Sequence, residues 1–122
     1  MPAEPARNQG AYLWDMLESA RIIRGYVDGV NYDQFWDDSQ LRDAVAMRIA
    51  TIGEAARHIT AETEAKLPSI PFHRIRGMRN RITHDYGKVK FTEVWSGTQE
   101  HIEPLIFAHE EHFTKNPPPA AP

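Results

Sequence analysis

The stretch IPFHRIRGMRNRITHDYGKV runs from Ile70 to Val89, and its spacing of apolar residues indicates the fold. Apolar residues recur in it every three or four positions, at Phe72, Ile75, Met78 and Ile82. Side chains with this spacing lie on one face of an α-helix. Proline suits the first turn of a helix and glycine suits its end. The stretch therefore predicts a helix that begins near Pro71, buries one face and ends at Gly87.

The helical period continues on both sides of this stretch. It predicts a first helix over about 11–28, a second over about 38–59 and a short helix over about 60–66. The last helix is expected over about 92–114. Pro104 lies inside it, where it removes a backbone donor and crowds the carbonyl four residues back, so we expect a kink or a break.

These segments predict an all-α fold, an antiparallel helical bundle of four main helices plus short helices. No stretch has the alternating pattern of a convincing strand. The 122 residues suit one domain. We place that domain at 8–115, with flexible tails at 1–7 and 116–122. Asp38 or Ser39 is expected to cap the second long helix.

Composition excludes several classes of protein. The chain has no cysteine, which excludes disulfides and thiolate metal sites. The N-terminal MPAEPARNQG lacks the apolar core of a signal peptide. The longest apolar run, LIFA, is far shorter than the roughly 20 residues that span a bilayer. We therefore expect a cytoplasmic protein with no membrane partner.

Charge is distributed unevenly along the chain. The segment from His73 to Lys90 contains six Lys and Arg and one Asp, a net +5, so the rest carries −8 of the total −3. The basic segment has two interpretations at this point. It could attract anions such as phosphate, or it could pair with acids from neighbouring helices. If it binds phosphate, the candidate residues are Arg76, Arg81 and Lys88.

The segment RNRITHDY, Arg79 to Tyr86, contains many polar side chains that can take part in a reaction. A histidine can move protons at neutral pH, because a free imidazole has a pKa of about 6.5, and His84 is the histidine of this segment. A guanidinium stabilises charge on phosphate oxygens, and Asn80 can orient either group. RNA cleavage needs little more, because the 2′-hydroxyl supplies the nucleophile. A structural interpretation also remains open, since Arg and His near a helix C-terminus complement the helix dipole.

The spacing of Arg79, His84 and Tyr86 resembles the R-x4-H-x-Y motif of the HepT-like toxins, small helical proteins of the HEPN superfamily. The segments IGEAA (52–56) and DQFWDD (33–38) resemble the same family. The resemblance spans roughly residues 12–105.

The resemblance implies a two-fold homodimer whose motifs face a shared cleft, and a metal-independent ribonuclease that needs no cofactor. Arg79 and His84 would be catalytic. The supporting residues would be Asn80, Glu54 and Asp85. The family also implies a toxin–antitoxin system, in which a minimal nucleotidyltransferase antitoxin (MntA-like) silences the toxin by transferring AMP to Tyr86. The RNA substrate stays open between tRNA and mRNA.

Two finer expectations concern neighbours of the motif. Glu54 could pair with an arginine of the motif, and Gly53 beside it allows the two helices to approach closely. Tyr86 is expected at the exposed end of the motif helix. There Arg79, Arg81 and Lys88 would favour its anion and attract a nucleotide phosphate.

Other functions fit the same sequence. The chain could be a non-catalytic helical dimer that docks a nucleotidyltransferase and assists nucleotide or substrate binding, or a purely structural dimer. The segment HEEH (109–112), with His101, could bind zinc, but it lacks the HExxH spacing, so we expect no metal site. Phe35, Trp36 and Trp95 are expected in the core or a dimer interface rather than stacked on bases.

Overall fold

The computed structural model describes residues 8–117, which form seven α-helices and no strand. The helices are Gln9–Val27 (α1), Tyr32–Asp37 (α2), Ser39–Ala56 (α3), Ala61–Ala65 (α4), Phe72–His84 (α5), Phe91–Glu100 (α6) and Ile102–Lys115 (α7), with a 3₁₀ turn over Tyr86–Lys88. The predicted all-α fold is confirmed. The predicted tails lie outside the described residues, except that residues 116 and 117 follow α7.

Side chains cap the helices where the sequence offers them. Asp38 accepts a hydrogen bond from the backbone N–H of Leu41, as expected for the start of the second long helix. Asn31 and Gln34 form a reciprocal capping box around α2. Gly29 has a φ of +70°, the left-handed conformation that ends α1 without a side-chain clash.

The core is formed by the apolar stripes of the long helices. Helix α3 packs against both α1 and α5, and α7 packs against α1. The stripe predicted for the first helix is buried, with Leu13, Met16, Leu17, Ala20 and Ile23 all close to fully covered. The buried face of α5 is supplied mainly by Phe72 and Ile82. No helix within residues 8–117 is long and apolar enough to cross a membrane.

The predicted break near Pro104 is present. Helix α6 ends at Glu100, whose carbonyl is the one that Pro104 would crowd, and α7 begins at Ile102. The 3₁₀ turn after α5 differs from expectation. Asp85 leaves the helical conformation, with φ −152° and ψ 48°, so α5 ends at His84 and not at Gly87.

Candidate active site

Arg79 is the best-anchored residue of the motif. Its side chain is only 15% exposed, and its Nη2 lies 2.8 Å from the Glu54 carboxylate on α3. Its Nη1 donates a hydrogen bond to the Asn80 side-chain oxygen at 3.1 Å. Sequence reasoning predicted both neighbours, and the pairing of Glu54 with a motif arginine is confirmed.

Gly53 makes this anchoring possible. A Cβ at position 53 would lie 2.1 Å from the Cβ of Arg79 and 3.2 Å from the Ile75 carbonyl oxygen. No real side chain fits at such distances. The absence of a side chain lets α3 approach α5 closely, as predicted, and brings Glu54 within reach of Arg79.

Glu54 contacts three basic side chains. Besides Arg79, its carboxylate lies 3.1 Å from Arg57 and 3.7 Å from His58, which follow it by three and four residues in the chain. The hydrogen bond from Arg57 is the main reason that the pKa of Glu54 is lowered, and the charges of Arg57, Arg79 and His58 add to it. Glu54 therefore stays ionised through the neutral and mildly acidic range, which keeps the ion pair to Arg79 intact.

His84 contrasts with Arg79. It is the last residue of α5, and its imidazole is exposed. Within the described residues no hydrogen bond or ion pair holds its ring. A group in this position is accessible to substrate and solvent, as a proton-transfer residue must be.

Tyr86 lies off the helix and in a different environment from the one expected. Because Asp85 breaks the helix, Tyr86 sits in the 3₁₀ turn, where its hydroxyl donates a hydrogen bond to the carboxylate of Asp43 on α3. Its ring meets Phe91 edge-on at 5.9 Å.

The charge environment of Tyr86 also corrects the expectation. Burial of the phenol, followed by the hydrogen bond and charge of Asp43, raises its pKa to about 12, while Arg42 opposes the shift. The expectation that Arg79, Arg81 and Lys88 favour the tyrosine anion is therefore wrong. Asp43 lies 43 positions away in the sequence, and no local pattern marks it as a partner.

The arginines of α5 are largely neutralised by acids on other helices. Arg76 lies 2.8 Å from Glu64 on α4, and its Nε donates to the Ala56 carbonyl at 3.1 Å. Arg81 lies 3.4 Å from Glu93 on α6. With the Arg79–Glu54 pair, three arginines thus contact acids from three neighbouring helices.

Of the two interpretations of the basic segment, pairing with acids from neighbouring helices is the one that describes these arginines. Phosphate binding by Arg76 or Arg81 stays a prediction. The backbone of Lys88 lies in the 3₁₀ turn, but its side chain lies outside what the structure describes.

A depression of about 400 Å³ opens beside the Glu54–Arg79 pair. It lies between α1 and α3 and is lined by Tyr12, Asp15, Thr51, Glu54, Ala55 and His58. The rings of Tyr12 and His58 stack there at 4.6 Å and 9°. The described residues contain no group of three or more His, Asp or Glu side chains arranged to hold a metal ion.

The other aromatic and histidine candidates have packing roles. Phe35 is fully buried and packs on Trp95 at 5.1 Å, as expected. Trp36 is half exposed and lies under the guanidinium of Arg42 at 5.5 Å. His109 of the HEEH segment is buried in the core, away from solvent.

A family model described as "Ribonuclease HepT-like" matches residues 16–111, most of the chain, and this range includes Glu54 and the whole motif. The chain belongs to the HepT-like ribonuclease family. The family resemblance and the HEPN-type helical fold that it implied are confirmed.

Several proteins named as ribonucleases are similar to this chain over most of their length. "Putative RNase MJ1380" of Methanocaldococcus jannaschii is 30% identical over 96 residues, covering 79% of this chain and 88% of the relative. "Putative RNase MJ1216" of the same organism is 32% identical over 98 residues, covering 80% and 81%. "Probable ribonuclease HepT" of Thermococcus cleftensis is 27% identical over 99 residues, covering 81% and 90%. No solved structure matches the chain.

Proposed function

We propose that this protein is a metal-independent ribonuclease in which Arg79 and His84 are the catalytic residues. The observation that carries the proposal is the difference between the environments of Arg79 and His84, in a chain that belongs to a ribonuclease family. Arg79 is held by Glu54 and Asn80, whereas His84 is exposed and unconstrained at the end of the same helix. A preorganised cation and an accessible imidazole are what phosphodiester cleavage requires.

The reaction follows from the chemistry of these two groups. His84 takes the proton of a ribose 2′-hydroxyl, and the 2′-oxygen attacks the adjacent phosphorus. Arg79 stabilises the negative charge that develops on the phosphate oxygens. The 5′-oxygen leaves and takes up a proton, and the products end in a 2′,3′-cyclic phosphate and a 5′-hydroxyl. No metal ion takes part in this proposed reaction.

The active unit in this proposal is a homodimer. One chain supplies one His84, while the reaction needs one group to remove a proton and another to donate one. Two-fold pairing places two motifs at a shared cleft and supplies both groups. We infer supporting roles for Asn80 and for Asp85, which is exposed next to His84.

Control of the activity completes the proposal. The chain acts as the toxin of a toxin–antitoxin system, and its partner is a minimal nucleotidyltransferase antitoxin that transfers AMP to Tyr86. Tyr86 is 43% exposed and lies two residues from His84, so the position is accessible to a modifying enzyme. A bulky, anionic AMP group beside His84 would exclude RNA by sterics and by charge.

The products of cleavage test the proposed function. The purified chain is incubated with a labelled RNA in EDTA, and then with the same RNA carrying a single 2′-deoxy nucleotide at the mapped cleavage position. We expect cleavage of the first RNA only, with 2′,3′-cyclic phosphate ends. Cleavage of the deoxy-substituted RNA at the same position would mean that water, not the 2′-hydroxyl, is the nucleophile. An absence of cleavage in both would favour the non-catalytic docking protein.

A further inference from the structure

We propose that Asp43 is the proton acceptor in the modification of Tyr86. Its carboxylate takes the phenol proton while the phenolic oxygen attacks the α-phosphorus of a nucleoside triphosphate. This inference rests on the proposed function, in which Tyr86 accepts AMP, and adds to it a catalytic residue from α3.

The geometry needed for this step is already present. The Tyr86 hydroxyl donates its hydrogen bond to the Asp43 carboxylate, so the proton already points at its acceptor. Phe91 contacts the ring edge-on, and 43% of the surface of Tyr86 is exposed, so the residue lies at the protein surface within reach of a nucleotide in solution. Within the described residues no other carboxylate or imidazole hydrogen-bonds to this hydroxyl.

Tyr86 needs such an acceptor. A phenol with a pKa of about 12 is ionised in only about one molecule in 10⁵ at pH 7. A neutral phenol is a weak nucleophile, so its proton must leave as the new bond forms. Among the side chains that the structure describes, the charged groups that face the hydroxyl are Asp43 and Arg42, both on α3. Of these only the carboxylate can accept a proton, since a guanidinium is always protonated.

The step balances without a further reactant. A bond forms between the phenolic oxygen and the α-phosphorus, and the bond from that phosphorus to the bridging oxygen breaks. Pyrophosphate leaves with the bonding electrons. The phenol proton passes to Asp43 and from there to solvent.

The experiment uses adenosine 5′-phosphorimidazolide, which donates AMP with imidazole as its leaving group and needs no enzyme. The full-length chain is treated with this reagent over a range of pH, and the AMP increment is followed by intact mass and assigned by peptide mapping. Tyr26 and Tyr32 serve as internal controls. They are 39% and 36% exposed, close to Tyr86, and neither donates a hydrogen bond to a carboxylate in the described part of the chain.

We expect Tyr86 to be labelled faster than the two control tyrosines at pH 7, despite its raised pKa. Asp43→Asn should slow the labelling of Tyr86 by about 10²-fold at pH 7. The difference should disappear at alkaline pH, where hydroxide removes the proton and Asp43 is no longer needed. Asp37→Asn, which removes an exposed acid from α2, should react like the wild type.

Three outcomes would overturn the proposal. They are equal labelling of Tyr86 in wild type and Asp43→Asn at pH 7, a slowing that persists at every pH, and labelling of Tyr26 and Tyr32 without Tyr86. The second would show that Asp43 only holds the ring in place. No nucleotidyltransferase is present in this assay, so its result is independent of whether an antitoxin modifies Tyr86 in the cell.

Discussion

At the scale of single residues, the proposed mechanism gives Arg79 and His84 two different physical tasks. Arg79 is fixed by an ion pair and a hydrogen bond, and a group that stabilises developing charge works best when it need not reorganise. His84 has no such constraint, and a group that exchanges protons must reach both substrate and water. Gly53 is the small residue on which the first of these arrangements depends.

Gly53→Ala should destabilise the protein. The new methyl group would lie 2.1 Å from the Cβ of Arg79, so α3 and α5 must move apart. We expect a loss of about 1–3 kcal/mol in the free energy of unfolding, the usual cost of overpacking, measured by urea denaturation. Gly77→Ala on α5 is the matched control, because nothing lies within 4 Å of its added Cβ. It should stabilise the helix by about 0.5–1 kcal/mol, and equal stability of the two variants would contradict the prediction.

His109 should make stability fall in mild acid. Its Nδ1 lies 2.8 Å from the Leu105 carbonyl oxygen, its Nε2 is buried without a partner among the described residues, and burial lowers its pKa to about 4. Between pH 6.5 and pH 4 the unfolded chain binds a proton that the folded chain excludes. The stabilisation is therefore full above pH 6.5 and is lost as pH falls toward 4, by on the order of 3 kcal/mol.

The measurement is the free energy of unfolding against pH for the wild type and for His109→Leu. Leucine cannot be protonated, so the variant should have a flatter acid limb over pH 6.5 to 4. Parallel curves for the two proteins would show that His109 takes up a proton in the folded state as easily as in the unfolded state.

At the scale of helices, features that depend on neighbouring residues could be predicted from the sequence. Features that depend on residues far apart in the chain could not. The break before Pro104 follows from one missing donor and one crowded carbonyl, and both can be read from the sequence. The apolar stripes of α1 and α5 likewise follow from the spacing of their residues. The early end of α5 at Asp85, by contrast, places Tyr86 against Asp43 on α3, a contact for which the local sequence has no signal.

The arginines of α5 illustrate the same limit. Their clustering is visible in the sequence, but the acids that pair with Arg76, Arg79 and Arg81 come from three other helices. Only the packing of the bundle decides whether such a cluster is free or paired. Glu54 could be predicted because it lies in a segment that resembles the family, next to a glycine that permits close packing.

Glu54→Gln should impair function more than folding. The substitution keeps the size of the side chain and removes the charge that holds Arg79, so the guanidinium loses its fixed position. We expect RNA cleavage to fall by about 10-fold or more, with little change in the midpoint of thermal unfolding because the pair is partly exposed. Glu62→Gln, which breaks the exposed 4.0 Å pair with Lys66, is the control and should cleave normally. A matching loss of activity in both variants would argue against a positioning role for Glu54.

At the scale of the whole molecule, the chain has a net negative charge, and the motif arginines pair with acids of the same chain. A single copy therefore presents a weaker basic field than its sequence indicates. Two copies facing each other would place two Arg79 and two His84 around one cleft. The dimer proposed here is thus tied to catalysis and not only to stability.

Light scattering at micromolar concentration should give twice the 14.0 kDa mass of the chain. Phe107 on the last helix is 69% exposed, the kind of apolar side chain that a subunit interface covers. Phe107→Glu should therefore shift the protein toward monomer. Met47→Glu places the same charge on a similarly exposed apolar side chain of α3, 64% exposed, and tests whether the effect is specific to α7. A monomer mass for the wild type would refute the dimer.

The most direct measurement is the rate constant for cleavage of an end-labelled RNA in EDTA, under single-turnover conditions, by the wild type, Arg79→Ala and His84→Ala. If Arg79 stabilises the phosphate charge and His84 moves the proton, each variant should cleave about 10²-fold more slowly or worse. All three proteins should unfold at similar temperatures and cleave at the same positions. Cleavage by the wild type that requires Mg²⁺, or a His84→Ala rate equal to that of the wild type, would contradict the proposed mechanism.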